Sequence, residues 1–410
     1  MRTPANARMC SRIVWTSILL WVPWLFSPVP ADAIEGSSTI QVDAEFPSGN
    51  ILVDKIAGDT VFVRQDLRDT AGWWFYWCFR VRGAEGRTLK FQFTNGKVIG
   101  VRGPAVSSDG GRTWSWLGAE TVNEVGFRYS FPAGAGEVRF CFGIPYLESH
   151  LKEFLKRHAN DPSLKVETLC RTAKGRDVEL LRVGKLDGAP EHRVLLTARH
   201  HACESLADYV LEGLLDTVLA EAADGKWLRE HAELMAIPFM DKDGVEDGDQ
   251  GKNRKPHDHN RDYTQKIHAS VRALTERAPA WSEGKLRMAI DLHCPSIRGA
   301  YNEVIYFVGG PDAENWKRVE QFAKILEAVQ QGPLVYRVSD NLPFGKAWNV
   351  GPKESNLQSF SRWAEKLPGI RVATSIEIPY ANVSGREVNA DSARALGRDL
   401  ARALRQYLEP

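Results

Sequence analysis

Five short apolar runs constrain this chain more than any other feature: Val194–Ala198, Leu234–Phe239, Met288–Leu292, Val304–Val308 and Val372–Ile378. Strands this apolar must be covered on both faces, which is the condition of a parallel sheet clothed by helices. The segments between them supply the cover. Leu147–His158 reads as a helix, Ser205–Ala220 places Leu206, Val210, Leu214 and Val218 on one face, and Asp391–Leu408 is amphipathic. Residues 147–410 are therefore expected to form an α/β fold with a mixed, mainly parallel sheet and helices on both faces.

The texture is different before Pro145. From Ile40 to about Tyr146 short apolar stretches, among them Trp73–Val81, Thr88–Phe93 and Val138–Phe142, alternate with turn signals at Thr94-Asn95-Gly96, Asp109-Gly110-Gly111 and Ala133-Gly134-Ala135-Gly136. This predicts an all-β sandwich domain over residues 34–146. Its aromatic run Trp73-Trp74-Phe75-Tyr76-Trp77 reads as core packing, with a sugar-stacking platform as the alternative. No internal repeat or long low-complexity linker separates the two parts.

Charge and the amino terminus bound the partners and the address. The 53 basic residues nearly cancel the 52 acidic ones, so neither a nucleic-acid footprint nor a polybasic membrane surface is expected, and partners should be small or peptidic. Arg2, Arg8 and Arg12, the apolar Ile13–Phe26 and then Ala31-Asp32-Ala33 have the form of a signal peptide over residues 1–33. An uncleaved anchor competes, but Pro23 interrupts a run already short for a span. The expectation is a secreted or periplasmic protein without stable membrane insertion. Cys78, Cys141, Cys170, Cys203 and Cys294 make no regular framework, so at most a bridge or two is possible, and Cys78 and Cys141, among aromatics, read as buried small hydrophobes.

The chemistry is concentrated in three places. His201 and Glu204, three residues apart after the Val194–Ala198 strand, can converge on one zinc ion, which takes nitrogen and oxygen ligands. Among ten histidines about one His-x-x-Glu is expected by accident, and His200 could substitute for His201 by proximity. His293 ends the Met288–Leu292 strand, where α/β sheets place their sites, with Asp291 expected to point away from it or into the turn. Between them, Gly251–Tyr263 is rich in Asn, Arg and Asp, and could bind a carboxylate bidentately or be a solvated loop.

In order, His-x-x-Glu, Asp-Gly-Val, Arg, Asp-x-Asn-Arg, Asp-Leu-His and a late Ser-Ile-Glu resemble the zinc carboxypeptidase family typified by carboxypeptidase A, over about the last two-thirds of the chain. The β-rich part ahead of it resembles the cytosolic carboxypeptidase branch. This resemblance implies one zinc ion per chain held by His201, Glu204 and His293. It implies Glu377 as general base, Arg254 as the arginine that polarises the scissile carbonyl, and Asn260 with Arg261 as the grip on a peptide or protein C-terminus. Asp258 matches the aspartate that accepts a hydrogen bond from the first zinc histidine. Two departures stand out: Cys294-Pro295 replaces the usual small residue after the third histidine, and none of Tyr301, Tyr306 and Tyr336 stands in the context of the family's mobile tyrosine. A zinc amidohydrolase acting on acylated amino acids, or an inactive carbohydrate-binding protein, are the competing readings.

Overall fold

The computed structural model describes residues 39–350 and 357–409; residues 1–33, expected from the sequence to be a signal peptide, lie outside them. Residues Thr39–Pro410 form one compact unit. Its centre is a seven-stranded sheet. In spatial order the strands are Leu164–Arg171, Asp177–Gly184, Ala232–Ile237, His192–Ala198, Leu286–His293, Val372–Glu377 and Tyr306–Val308. The four from Ala232–Ile237 to Val372–Glu377 run parallel, and the outer three pair antiparallel.

The apolar runs form strands because each feeds two cores at once. Val194 and Leu196 enter one buried cluster and Leu195 the other; Leu234 and Ala236 oppose Met235 and Ile237 in the same way, as do Met288 and Ile290 against Ala289. This alternation is the period of two that a strand imposes. One face is covered by Leu206–Leu219, Ala313–Val329 and Ala390–Leu408, the other by Ala269–Ser282 and the short Phe360–Ala364. The mixed α/β architecture expected for the C-terminal part is the one observed.

The strand-rich region ahead of it contains two five-stranded sheets. Phe79 and Phe140 from one meet Phe91 and Phe127 from the other, with ring centroids 5.1–5.3 Å apart, so the sheets pack face to face. The core of this region continues into that of the larger sheet. One local expectation is corrected. The strand predicted from Trp73 begins only at Cys78, because Phe75–Trp77 are buried as an irregular segment in which the backbone of Phe75 and Tyr76 donates to Gln250. All five cysteines of the described residues are free thiols.

Two glycines fix how the longest helix meets its neighbour. A Cβ on Gly213 would stand 2.1 Å from the carbonyl oxygen of Arg394, and one on Gly397 would stand 2.1 Å from that of Val210. Helices Leu206–Leu219 and Ala390–Leu408 are therefore in backbone contact, and the first of them follows directly on the turn that carries His201 and Glu204. We expect Gly213→Ala to destabilise the fold by roughly 1–3 kcal/mol through forced separation of the helices, read as a lowered unfolding midpoint, while Gly136→Ala, into open space, leaves the midpoint unchanged.

Candidate metal centre and active site

Three neighbouring parallel strands end at one place. His192–Ala198 runs into the turn holding His200, His201 and Glu204; Leu286–His293 ends on His293; and Val372–Glu377 ends on Glu377, which is the register partner of His293. The turn after the first strand needs an unusual backbone: Arg199 has φ +59, a left-handed conformation that costs a non-glycine residue of order 1–3 kcal/mol. The Arg199 side chain holds it there. Its guanidinium donates to the carbonyls of Ala202 (2.9 Å) and Tyr146 (2.8 Å) and to Asp208 Oδ2 (2.7 Å), all buried.

Glu204 lies between two imidazoles, with Oε1 3.0 Å from His201 Nδ1 and Oε2 2.7 Å from His293 Nδ1. One donor atom from each of these three residues falls within 4.8 Å of the others. Burial would raise the pKa of Glu204, but His201, Lys252 and His293 override it and hold the carboxylate well below its usual range. The far nitrogens face carboxylates. His201 Nε2 is 3.7 Å from Asp258 Oδ1, and His293 Nε2 is 2.5 Å from Asp291 Oδ2. Asp258 is likewise pushed down, against its burial, by His201 and Arg261.

Two other groupings have ligand-like spacing, His200 with Asp291 and His293, and His257 with Asp262 and His268. Their atoms are already engaged. Both nitrogens of His200 are bonded, Nδ1 to Asp291 Oδ1 (2.8 Å) and Nε2 to the Tyr263 hydroxyl (2.7 Å). Asp262 accepts from His257 and from the backbone of Ile267 and His268. His200 thus supports the site from behind and does not replace His201.

Glu377 stands beside this cluster with its Oε2 buried and without a hydrogen-bond partner among the described residues. Burial raises its pKa, partly opposed by His293 and reinforced by Glu204. Asn260 is turned inward, its Nδ2 3.2 Å from His293 Nε2 and its Oδ1 accepting from the Phe360 backbone at 2.9 Å. Arg261 donates to the carbonyl of Asn260. Arg254 is engaged differently, with ion pairs to Asp241 (2.8 Å), Asp249 (2.9 Å) and Asp69 (3.3 Å).

Three residues of the site were not assigned from the sequence. Asp291 bonds His293 instead of pointing away; the two are two apart on one strand and so share a face, a signal that was legible. Lys252 Nζ is 2.7 Å from Glu204 Oε1, a contact between a loop and a turn that no local pattern announces. Tyr306 is directly opposite Glu377 in the antiparallel register, and its buried hydroxyl also lacks a hydrogen bond of normal geometry.

The strand-rich region braces the loop that carries Lys252 and Arg254. Gln250 Oε1 accepts from the backbone of Phe75 and Tyr76 while its Nε2 reaches Cys203 Sγ; Ala71 N donates to the Asn253 carbonyl; and Arg68 pairs with Asp249. Gly251 presses on the metal-ligand turn, where a Cβ would stand 2.1 Å from Ala202 N.

The zinc carboxypeptidase family matches residues 151–285. Cytosolic carboxypeptidase 3 of Bos taurus is 23% identical over 69% of this chain, and that of Mus musculus 29% identical over 69%, the match spanning 29% of the length of each relative. The fold is that of a metallo-carboxypeptidase from Burkholderia cenocepacia, with TM-score 0.74, 19% identity, and 90% of this chain and 99% of that one covered. The expectation of a secreted or periplasmic protein is corrected here: it is contradicted by these curated relatives, which are cytosolic carboxypeptidases. Among the described residues no helix is long and apolar enough to cross a membrane. The chain thus carries a zinc carboxypeptidase domain match over residues 151–285, is similar to cytosolic carboxypeptidases and shares the fold of metallo-carboxypeptidases.

Proposed function

We propose that this chain is a metallocarboxypeptidase that uses one zinc ion to hydrolyse the C-terminal peptide bond of peptides or proteins. The observation that carries this reading is the convergence of His201, Glu204 and His293 beside Glu377, whose inward oxygen is buried and unbonded among the described residues. Two imidazoles and a carboxylate suit zinc, and a buried carboxylate kept ionised is a ligand in its binding form. When bound, zinc polarises carbonyl oxygen and lowers the pKa of water from about 15.7 towards about 7.

The remaining work belongs to the chain. Glu377 takes a proton from the attacking water and passes it to the departing amine, and its burial raises its affinity for that proton. Arg261, backed by Asn260, grips the terminal carboxylate, which is what makes the reading an exopeptidase; the fork of a guanidinium matches a carboxylate bidentately. Asp258 and Asp291 orient the two histidines from behind, so that the Nδ1 atoms are presented to the ion.

Purified, zinc-loaded protein is expected to release free amino acids from peptides with a free C-terminus, and to lose this activity on chelation. Glu377→Gln should lower kcat by about 100-fold or more with zinc content unchanged; a variant as active as the wild type would remove Glu377 from the mechanism. Asp291→Asn should weaken zinc binding by about 10- to 100-fold, measured by competition with a chromogenic chelator, independently of any substrate.

A further inference from the structure

One loop, residues 343–350, carries three large apolar side chains that the fold leaves exposed: Phe344 (41% exposed), Trp348 (51%) and Val350 (64%). The loop is nevertheless firmly built. Leu342 pairs with Val308 at the edge of the central sheet, and the buried Asn349 amide donates to the carbonyls of Gly309 (2.8 Å) and Leu342 (3.2 Å). Backbone bonds run from Gly345 N to the Asn349 carbonyl and from Asn349 N to the Lys346 carbonyl. Ala347 takes φ +44, a left-handed conformation that is unfavourable for any residue with a Cβ. A strained alanine and a buried amide thus hold an indole half in water, where it contributes little to the core. Trp348 also stands next to the candidate site. Its ring centroid is 6.4 Å from that of Tyr306, and Tyr306 is the register partner of Glu377. Directly opposed residues of antiparallel strands are about 5 Å apart, so the indole is on the order of 10 Å from Glu377, a span of about three extended residues.

We propose, resting on the carboxypeptidase reading above, that Trp348, with Phe344 and Val350 beside it, is a specificity-determining residue that binds an apolar or aromatic side chain of the substrate within about three residues upstream of the scissile bond. An exopeptidase encloses the terminal residue and lets the rest of the peptide run out past the rim. Tyr306 is fully buried and Trp348 is half exposed, so the tyrosine belongs to the enclosed end and the indole to the chain that leaves it. The three side chains of the loop carry one polar atom between them, the indole nitrogen. What they recognise is therefore apolar area, and a rigid aromatic offers much of it at little cost in side-chain entropy. Because the loop is anchored before the peptide arrives, little ordering is left to be done on binding.

The test uses peptides with one common C-terminal residue and Gly, Phe, Asp or Lys at each of the three positions upstream of the bond. Values of kcat and KM are measured for the zinc-loaded full chain and for Trp348→Ala, Trp348→Phe and Val166→Ala. The last removes a comparably exposed apolar side chain from the strand at the opposite edge of the sheet. The wild type is expected to favour Phe over Gly, Asp and Lys at one of these positions by about 10-fold in kcat/KM, mainly through KM. Trp348→Ala should abolish this preference by raising KM, with zinc affinity and unfolding midpoint unchanged. Trp348→Phe should keep part of the preference and Val166→Ala all of it. The same discrimination should appear without turnover, in calorimetric binding of the Phe and Gly peptides to zinc-loaded Glu377→Gln, and should vanish when Trp348→Ala is added. On an acetylated single amino acid, which has no side chain upstream, the loss in Trp348→Ala should fall away. The assignment is overturned if Trp348→Ala keeps the preference for Phe, if the wild type favours a charged residue or none at these positions, or if Trp348→Ala loses as much on the acetylated amino acid as on the peptides, which would put the indole against the terminal residue. A wild type that binds zinc yet cleaves none of the peptides overturns the carboxypeptidase reading itself. An active wild type indifferent to the upstream residue overturns the role of Trp348 alone.

Discussion

The carboxylate of Glu204 is the constraint around which the rest of this centre is arranged. It has no solvent exposure, and a charge removed from water without compensation costs several kcal/mol. Its three neighbours, His201, His293 and Lys252, all lie within 3.0 Å and are all donors or cations. Two of them, the imidazoles, are themselves tied to carboxylates, so imidazole and carboxylate alternate outward from Glu204 through His201 to Asp258 and through His293 to Asp291 and His200, whose far nitrogen meets the Tyr263 hydroxyl. Such an arrangement orients each ring through its far nitrogen and leaves the near one for a metal.

Holding that chain of contacts requires backbone that the sheet alone does not supply. The strands bring His293 and Glu377 into register, but Glu204 is reached only by a turn with a left-handed arginine, and that turn is held from three sides. Arg199 bonds it to Asp208 and Tyr146, Gly251 packs against its peptide, and Gln250 links Cys203 to the backbone of Phe75 and Tyr76. The strand-rich region is thus a structural part of the site: its loop at residues 66–77 fixes the segment from which Lys252 reaches inward.

This explains what could be read from the sequence. Periodicity found the parallel strands and two of the covering helices, Leu206–Leu219 and Ala390–Leu408, within a residue or two, because burial on both faces leaves a direct mark on composition; Ala269–Ser282, Ala313–Val329 and Phe360–Ala364 were not assigned from the sequence. The ordered motif pointed to His201, Glu204, His293 and Glu377, which the fold brings together, the first two in the turn after a strand and the last two at strand ends. Trp73–Trp77 was read as strand because its aromatics are as apolar as a strand requires, yet their backbone donors go to Gln250, 174 and 175 residues away. Arg254 and Lys252 stand two apart in one loop with similar composition on either side; which of them faces the metal cluster is decided by Asp69, Asp241 and Asp249, and no spacing along the chain reveals that.

One feature of the site works against stability. Glu377 Oε2 and the Tyr306 hydroxyl, on directly opposed residues of paired strands, are both buried without a normal hydrogen bond among the described residues, and each unsatisfied polar group of this kind costs about 1–3 kcal/mol. A chain selected for stability alone would place apolar side chains of similar volume there, as it does one residue along the same pair, where Phe307 opposes Ile376 in the core. Among the described residues the fold supplies neither oxygen with a hydrogen bond of normal geometry. On the carboxypeptidase reading proposed above, the position of Glu377 is explained by the reaction rather than by the fold.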